Sequence, residues 1–228
     1  MNYLFIGNSS AIASSVQKHI DSSSHNLWTV GRSTSDIASA HHHTWSSVED
    51  PLPTDFLPDT LHGFVYFPGT INLKPFHRTS EEDFLSDYKV NVLGAVRSLQ
   101  WAMGSLKKGN GSVVLISSVA ATTGMGFHSS IASAKSALEG LARSLAAEWA
   151  PHIRVNAVAP SLTDTPLAEK FLSSEDKRQA SIKRHPLSKI GAPDDIASAI
   201  NFLLQPSSAW MTGQVIAVDG GLSSLRLL

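Results

Sequence analysis

The 228-residue chain contains no cysteine. That excludes disulfides, thiolate metal sites and a cysteine nucleophile, and leaves any redox chemistry to a bound cofactor in a reducing compartment. It also lacks a surplus of either charge. Eighteen Lys and Arg stand against nineteen Asp and Glu, for a formal charge of -1, so neither nucleic acid nor an anionic membrane finds a basic footprint. Long apolar runs are missing as well: Val113 to Ile116 is only strand-length, far short of the roughly 20 residues a membrane-spanning helix needs. Met1 to Gly7 has neither the basic region nor the apolar stretch of a secretion signal. The expectation is a cytoplasmic protein whose partner is a small-molecule substrate. No linker or internal repeat divides the chain, and 42% apolar residues supply one core, giving a single domain over 1–228.

What is present is alternation. Leu4 to Ile6 is a short apolar run closed by Gly7, after which Ala11, Ile12, Val16 and Ile20 recur at helical spacing. Leu27 to Val30 follows as a second strand, and the polar, Pro-rich stretch from Ser33 to Leu61 predicts one abbreviated crossover. Gly63 to Phe67, Ser112 to Ser117, Ile153 to Val158 and Gln214 to Val218 supply further strands. Between them, Glu81 to Leu106 carries Phe84, Leu85, Tyr88, Val92, Ala95, Val96, Leu99 and Met103 in a helical pattern. Ser130 to Ala150 is an Ala/Leu-rich helix ended by Pro151, and Asp194 to Leu204 is helical. Apolar strands separated by helices imply an α/β fold, a doubly wound parallel sheet with helices on both faces. In such a sheet the ligand lies beyond the carboxyl ends of the strands, so the turns at Gly7, Gly31, Gly69, Ser117 to Thr123 and Pro160 to Thr165 should converge on one crevice. The tryptophans Trp28, Trp45, Trp101, Trp149 and Trp210 fall in or beside apolar segments and are expected in the core. His41, His42 and His43 are expected on an exposed loop, where adjacent residues cannot all turn onto one ion, and no metal site is expected.

Gly7 to Ala13 sits between the first strand and helix, where a helix N-terminus aims free backbone N–H groups at a diphosphate. Ala11 and Ala13 stand where a dinucleotide fingerprint has its later glycines, which costs room for backbone approach; taken alone, the segment equally suits an ordinary strand-to-helix turn. The further blocks Val90 to Gly94, Val114 to Ser118, Ala134-Lys135, Arg154 to Pro160, Thr165 to Leu167, Ile190 to Ala197 and Met211 to Gly221 occur in an ordered series. With them, the sequence resembles the short-chain dehydrogenase/reductase family from Tyr3 to about Leu222.

The resemblance implies a Rossmann-type sheet carrying NAD or NADP, assembled as a homodimer or homotetramer. It implies catalytic roles for Asn91, Ser118 and Lys135: in the family the Asn organises a water chain, and the Ser hydrogen-bonds the substrate carbonyl. The Lys holds the nicotinamide ribose and lowers the pKa of a Tyr four residues earlier. Counting back four from Lys135 gives Ile131, and Ser118 keeps the family's spacing of thirteen residues before that position, so the usual proton donor is missing. Ketone reduction makes an alkoxide that must be protonated as it forms, and general acid catalysis contributes 10²–10⁴-fold, about 3–5 kcal/mol. Hydride addition to an activated C=C bond makes an enolate, which hydrogen bonds can hold until water protonates its carbon. His128 lies seven residues before Lys135, the spacing at which the family's enoyl reductase branch places its Tyr; a surface residue ahead of the helix is the plainer reading.

For the cofactor, the resemblance implies Gly7, Ser9, Ser10, Ile12, Arg32, Ser33, Gly69, Lys135, Pro160, Thr163 and Thr165. Arg32 follows Gly31 where NAD-selective members tend to carry an acidic residue, and no Asp or Glu follows before Asp36. A guanidinium there favours a 2'-phosphate, hence NADP(H) over NAD(H). The family's Asn-Asn-Ala-Gly is here Tyr66 to Gly69, its Asp-Val has no counterpart around His43 to Trp45, and its Pro-Gly is Pro160-Ser161, so the adenine end is remodelled. The polar stretch 164–190, with Leu167, Phe171, Leu172 and Ile182 among charges, resembles the family's substrate lid. The function implied is an NADP(H)-dependent oxidoreductase transferring hydride to an activated C=C or carbonyl of a small molecule. The alternative is a non-catalytic member that binds cofactor or a protein partner, against which a buried, uncompensated Lys135 would argue. A cofactor-free lyase or dehalogenase ranks last, since it needs the missing Tyr.

Overall fold

Apolar side chains on both faces of a strand demand cover on both sides, and this chain supplies it with crossover helices. The computed structural model describes residues 1–20, 24–33 and 41–226; Asp36 and the start of the second crossover lie outside the described residues. In chain order the elements are β1 (Asn2–Ile6), α1 (Ala11–Lys18), β2 (Asn26–Gly31), β3 (His41–Thr44), β4 (Gly63–Tyr66), α2 (Glu81–Tyr88), α3 (Gly94–Gly109) and β5 (Ser112–Ile116), then α4 (Ser129–Trp149), β6 (Arg154–Pro160), α5 (Glu175–Arg184), α6 (Pro193–Leu204) and β7 (Val215–Val218). The sheet has seven strands in the order β3-β2-β1-β4-β5-β6-β7, and every pairing is parallel. This is the expected doubly wound, Rossmann-type domain.

Alternation along β1 shows how the two cores divide. Leu4 and Ile6 pack on one face with Leu99 and Leu106 of α3 and Leu138 of α4. Tyr3 and Phe5 pack on the other with Val16 of α1 and Ile196 and Ile200 of α6. Short polar signals close the helices: Ser80 caps α2 with a reciprocal bond to Asp83, and Asn110 ends α3 in the left-handed region at φ 49°. Among the described residues no helix is long and apolar enough to cross a membrane.

Three expectations need correction. The helical pattern from Glu81 to Leu106 is broken by a π-helical turn over Lys89–Leu93. The extra residue in that turn rotates α2 against α3, so Val92, Ala95 and Leu99 are buried while Leu85, Tyr88 and Met103 face out. His41 to His43 form the edge strand β3 rather than a loop, because β2 offers them a free ladder; Trp28 stacks on the His41 ring at 4.7 Å, and Thr29 Oγ1 meets His42 Nδ1 at 3.0 Å. Trp210 is fully exposed, since it occupies a turn whose neighbour Met211 packs on the core instead. The other four tryptophans do pack on the core, Trp101 and Trp149 only partly.

Glycines in α3 test this packing. A Cβ on Gly109 would lie 2.1 Å from the Leu61 carbonyl oxygen, whereas one on Gly104 meets nothing within 4 Å. Gly109→Ala is expected to lower the unfolding free energy by about 1–3 kcal/mol, and Gly104→Ala to raise it by about 0.5–1 kcal/mol, as read by urea denaturation.

Candidate active site

The carboxyl ends of β1, β2, β4, β5 and β6 open onto a single cavity of about 780 Å³, within the range of ligand sites. Gly7 ends β1 at φ +79°, its N–H donating to Val30 O at 2.7 Å. A Cβ there would press within 2.8 Å of the Pro68 ring, so the turn requires glycine on conformation and space alike. Ser10 caps α1 by accepting from the Ala13 N–H at 3.0 Å. Ser9, Ser10 and Ile12 all border the cavity, at the positive end of the helix. Gly31 and Arg32 border it from the end of β2. Ser33 does not; its carbonyl accepts from Asn8 Nδ2 at 3.0 Å. Trp45 and Val48 build the wall beyond β3, with Trp45 Nε1 donating to Asp50 O at 3.0 Å.

On the opposite side, α4 carries Ile131 and Lys135 one turn apart, both buried and both on the cavity. The Lys135 ammonium donates to Ile116 O at 2.7 Å. Burial pulls its pKa down to about 8, against the opposing pull of the Asp87 carboxylate. Asn91, inside the π turn, is fully buried behind the cavity surface. Its Nδ2 donates to Asp87 O at 2.8 Å and Thr70 Oγ1 at 2.9 Å, while Oδ1 finds no partner among the described residues. A Cβ on Gly69 would stand 3.2 Å from that oxygen and 3.4 Å from Lys135 Nζ. One glycine therefore keeps open a small polar space that both groups front.

Asp87 was missed in the sequence. Its fully buried carboxylate accepts from Thr70 Oγ1 at 2.5 Å, Asn72 Nδ2 at 2.7 Å and Ser130 Oγ at 2.6 Å, tying β4's following loop, α2 and α4 together. The available signal was a carboxylate one helical turn before Asn91. Ser118 borders the cavity at the end of β5, its Oγ accepting from the Ala120 N–H at 3.2 Å. His128 also borders it; Nδ1 donates to Gly126 O at 2.7 Å. Pro160, Thr163 and Thr165 line the side beneath β6, and Thr163 is bridged to Gly191 at the base of the 164–190 stretch. That stretch forms a 3-10 turn over Pro166–Phe171 and then α5. Leu167 and Phe171 roof the cavity, while Leu172 and Ile182 do not border it.

A family model described as enoyl-(acyl carrier protein) reductase matches residues 43–223. The chain belongs to the short-chain dehydrogenase/reductase family. A tropinone reductase homolog from Arabidopsis thaliana is 39% identical over 157 residues, covering 68% of this chain and 51% of that protein. Another from the same plant is 40% identical over 68% of this chain and 59% of its own length. The chain thus spans between about half and three-fifths of these curated relatives. Among solved structures, a short-chain type dehydrogenase/reductase from Mycobacterium ulcerans is similar at TM-score 0.87 and 26% identity, over 99% of this chain and 90% of that one. Ligand-free aldohexose dehydrogenase from Thermoplasma acidophilum superposes at TM-score 0.88 and 25% identity, over 100% and 95% of the two chains. The family's fold binds a nicotinamide cofactor, and the residues present fit one: Gly7, Ser9, Ser10 and Ile12 border the cavity at the start of α1, and the unpartnered Asn91 Oδ1 near Lys135 leaves a polar recess.

Lys135 makes the site measurable without a ligand. Its folded pKa of about 8 lies below the ordinary 10.5, so between those values the unfolded chain holds the proton that the folded chain has released. Stability carried by this group therefore rises with pH through that window. Relative to Lys135→Met, the native protein is expected to gain roughly 2–3 kcal/mol between pH 7.5 and pH 10.5 in urea titrations; a constant difference would place the ammonium in water.

Proposed function

We propose that the protein is an NADP(H)-dependent oxidoreductase acting on an activated C=C bond, or on a carbonyl, of a small molecule without the family's usual tyrosine acid. The observation that carries this reading is the shared recess of Lys135, Asn91 and Gly69, next to an apolar Ile131 on the same cavity. When bound, the cofactor supplies the hydride. Lys135 spends one of its three donors on Ile116 O and turns the ammonium toward ribose hydroxyls. Ser118 donates its hydroxyl to the substrate oxygen, where negative charge develops. Ile131 excludes water and offers no proton, which an enolate tolerates better than an alkoxide. His128, on the same cavity, is the imidazole available as a donor for carbonyl substrates. Gly7, Ser9, Ser10 and Ile12 receive the diphosphate, Thr163 and Thr165 the nicotinamide end, and Arg32 the 2'-phosphate. The same reading takes the protein as a cytoplasmic homodimer or homotetramer. Ile131 also favours a second reading, a non-catalytic member that binds cofactor or a protein partner.

Calorimetric titration followed by an NADPH-oxidation assay separates the two. The oxidoreductase reading expects micromolar NADPH binding with much weaker NADH and turnover with an enone or ketone. Binding without turnover leaves the cofactor-binding form of the non-catalytic reading, and no heat with either nucleotide leaves its partner-binding form. Arg32→Ala is expected to weaken NADPH about 10- to 100-fold, the loss of a charge-assisted contact, with NADH unchanged; equal losses would remove Arg32 from the phosphate. Ile131→Tyr is expected to raise NADPH-dependent reduction of a simple ketone by about 10²-fold or more, monitored by cofactor absorbance.

A further inference from the structure

One buried imidazole on the cavity is unused by the reduction. His185, only 2% exposed, follows α5 and presents Nε2 at 2.9 Å from Ser161 Oγ. Its other nitrogen, Nδ1, lies 2.7 Å from Ser181 O. A carbonyl only accepts, so Nδ1 carries the proton, Nε2 keeps its lone pair, and the Ser161 hydroxyl donates to it. Asp219 does not orient the ring: its carboxylate is engaged by the Gly221 and Ser223 N–H groups and the Ser223 hydroxyl. Ser161 stands one residue beyond β6, where the resembled family has glycine and therefore no hydroxyl. Both residues border the cavity, together with apolar Leu162 and Phe171 and with Arg184, whose guanidinium donates to Ser181 Oγ at 3.0 Å.

We propose that Ser161 and His185 are a nucleophile and its general base, a second reactive centre that accepts an acyl group from a small activated ester. Three elements of such a centre are present: a hydroxyl bonded to a base, a base oriented by a third group, and open space on the nucleophile's side. In the acylation step Ser161 Oγ bonds to the ester carbonyl carbon as its proton passes to His185 Nε2. The carbon–oxygen bond to the leaving alcohol breaks, and that oxygen takes the proton back from His185. Water then attacks the acyl-serine, giving its proton to His185, which returns one to Ser161 Oγ as the carboxylic acid departs. No electrons change hands, so the centre needs no cofactor.

The test treats the full chain, without nucleotide, with a fluorophosphonate and with p-nitrophenyl acetate, following intact mass, peptide mapping and nitrophenolate release. The expected result is one phosphonyl adduct per chain on Ser161, absent in Ser161→Ala and Ser161→Gly, and slowed at least 100-fold in His185→Gln. Unchanged melting temperatures in the two Ser161 variants show that the fold is intact. An adduct elsewhere, labelling that persists in Ser161→Ala, or a wild-type chain that stays unlabelled overturns the proposal. NADPH binding is read separately by calorimetry, so failure here leaves the oxidoreductase reading standing, and the converse also holds.

Discussion

The constraint on which everything else depends is that all pairings in the sheet are parallel. A parallel neighbour is reached only if the chain travels back along the sheet; between β3 and β4 it does so without a helix, and the returning helices elsewhere cover the strands' apolar faces. The carboxyl ends of the strands consequently share one edge. Side chains that are distant in sequence, such as Arg32, Ser118 and Thr165, meet around one cavity for this reason rather than through any attraction among themselves.

Within that edge, the electrostatics are set by burying a lysine next to a carboxylate network. Removing Lys135 from water disfavours its charge, and Asp87 restores part of the loss from behind the site. Asp87 is itself held by three side-chain donors, Thr70, Asn72 and Ser130, which leaves a rigid polar wall instead of an isolated charge. The π turn at Lys89–Leu93 serves the same arrangement by carrying Asn91 inward where a regular helix would continue its register. Its unbonded oxygen is the sort of buried polar atom that calls for a ligand or water.

Reading the sequence located this edge well and its depth poorly. Strand and helix order, apart from β3 and α5, followed from apolar periodicity, and the turns at Gly7, Gly69 and Pro160 to Thr165 followed from the doubly wound fold. Trp210 and the His41 to His43 run were placed by local composition and Ser33 by the family resemblance, and each depended on neighbours far along the chain. A tryptophan is buried only if something packs on it, Ser33 faces Asn8 because β1 and β2 lie side by side, and three histidines become a strand because β2 lacks a partner. Asp87 and His185 look like ordinary surface residues in the sequence, and only their surroundings bury them, His185 on the cavity wall and Asp87 behind it.

By itself, then, the sequence determined the class of fold, the order of most of its elements and the spacing that puts Ile131 one turn before Lys135. These are local or periodic properties, written in spacings of two, three and four residues. The tertiary structure alone decided which polar groups lose their water and which partners replace it. Lys135 beside Asn91, Asp87 among three donors and Ser161 against His185 arise from segments tens of residues apart. Burial and hydrogen bonding are set by what surrounds a group in space, and no spacing along the chain encodes that directly.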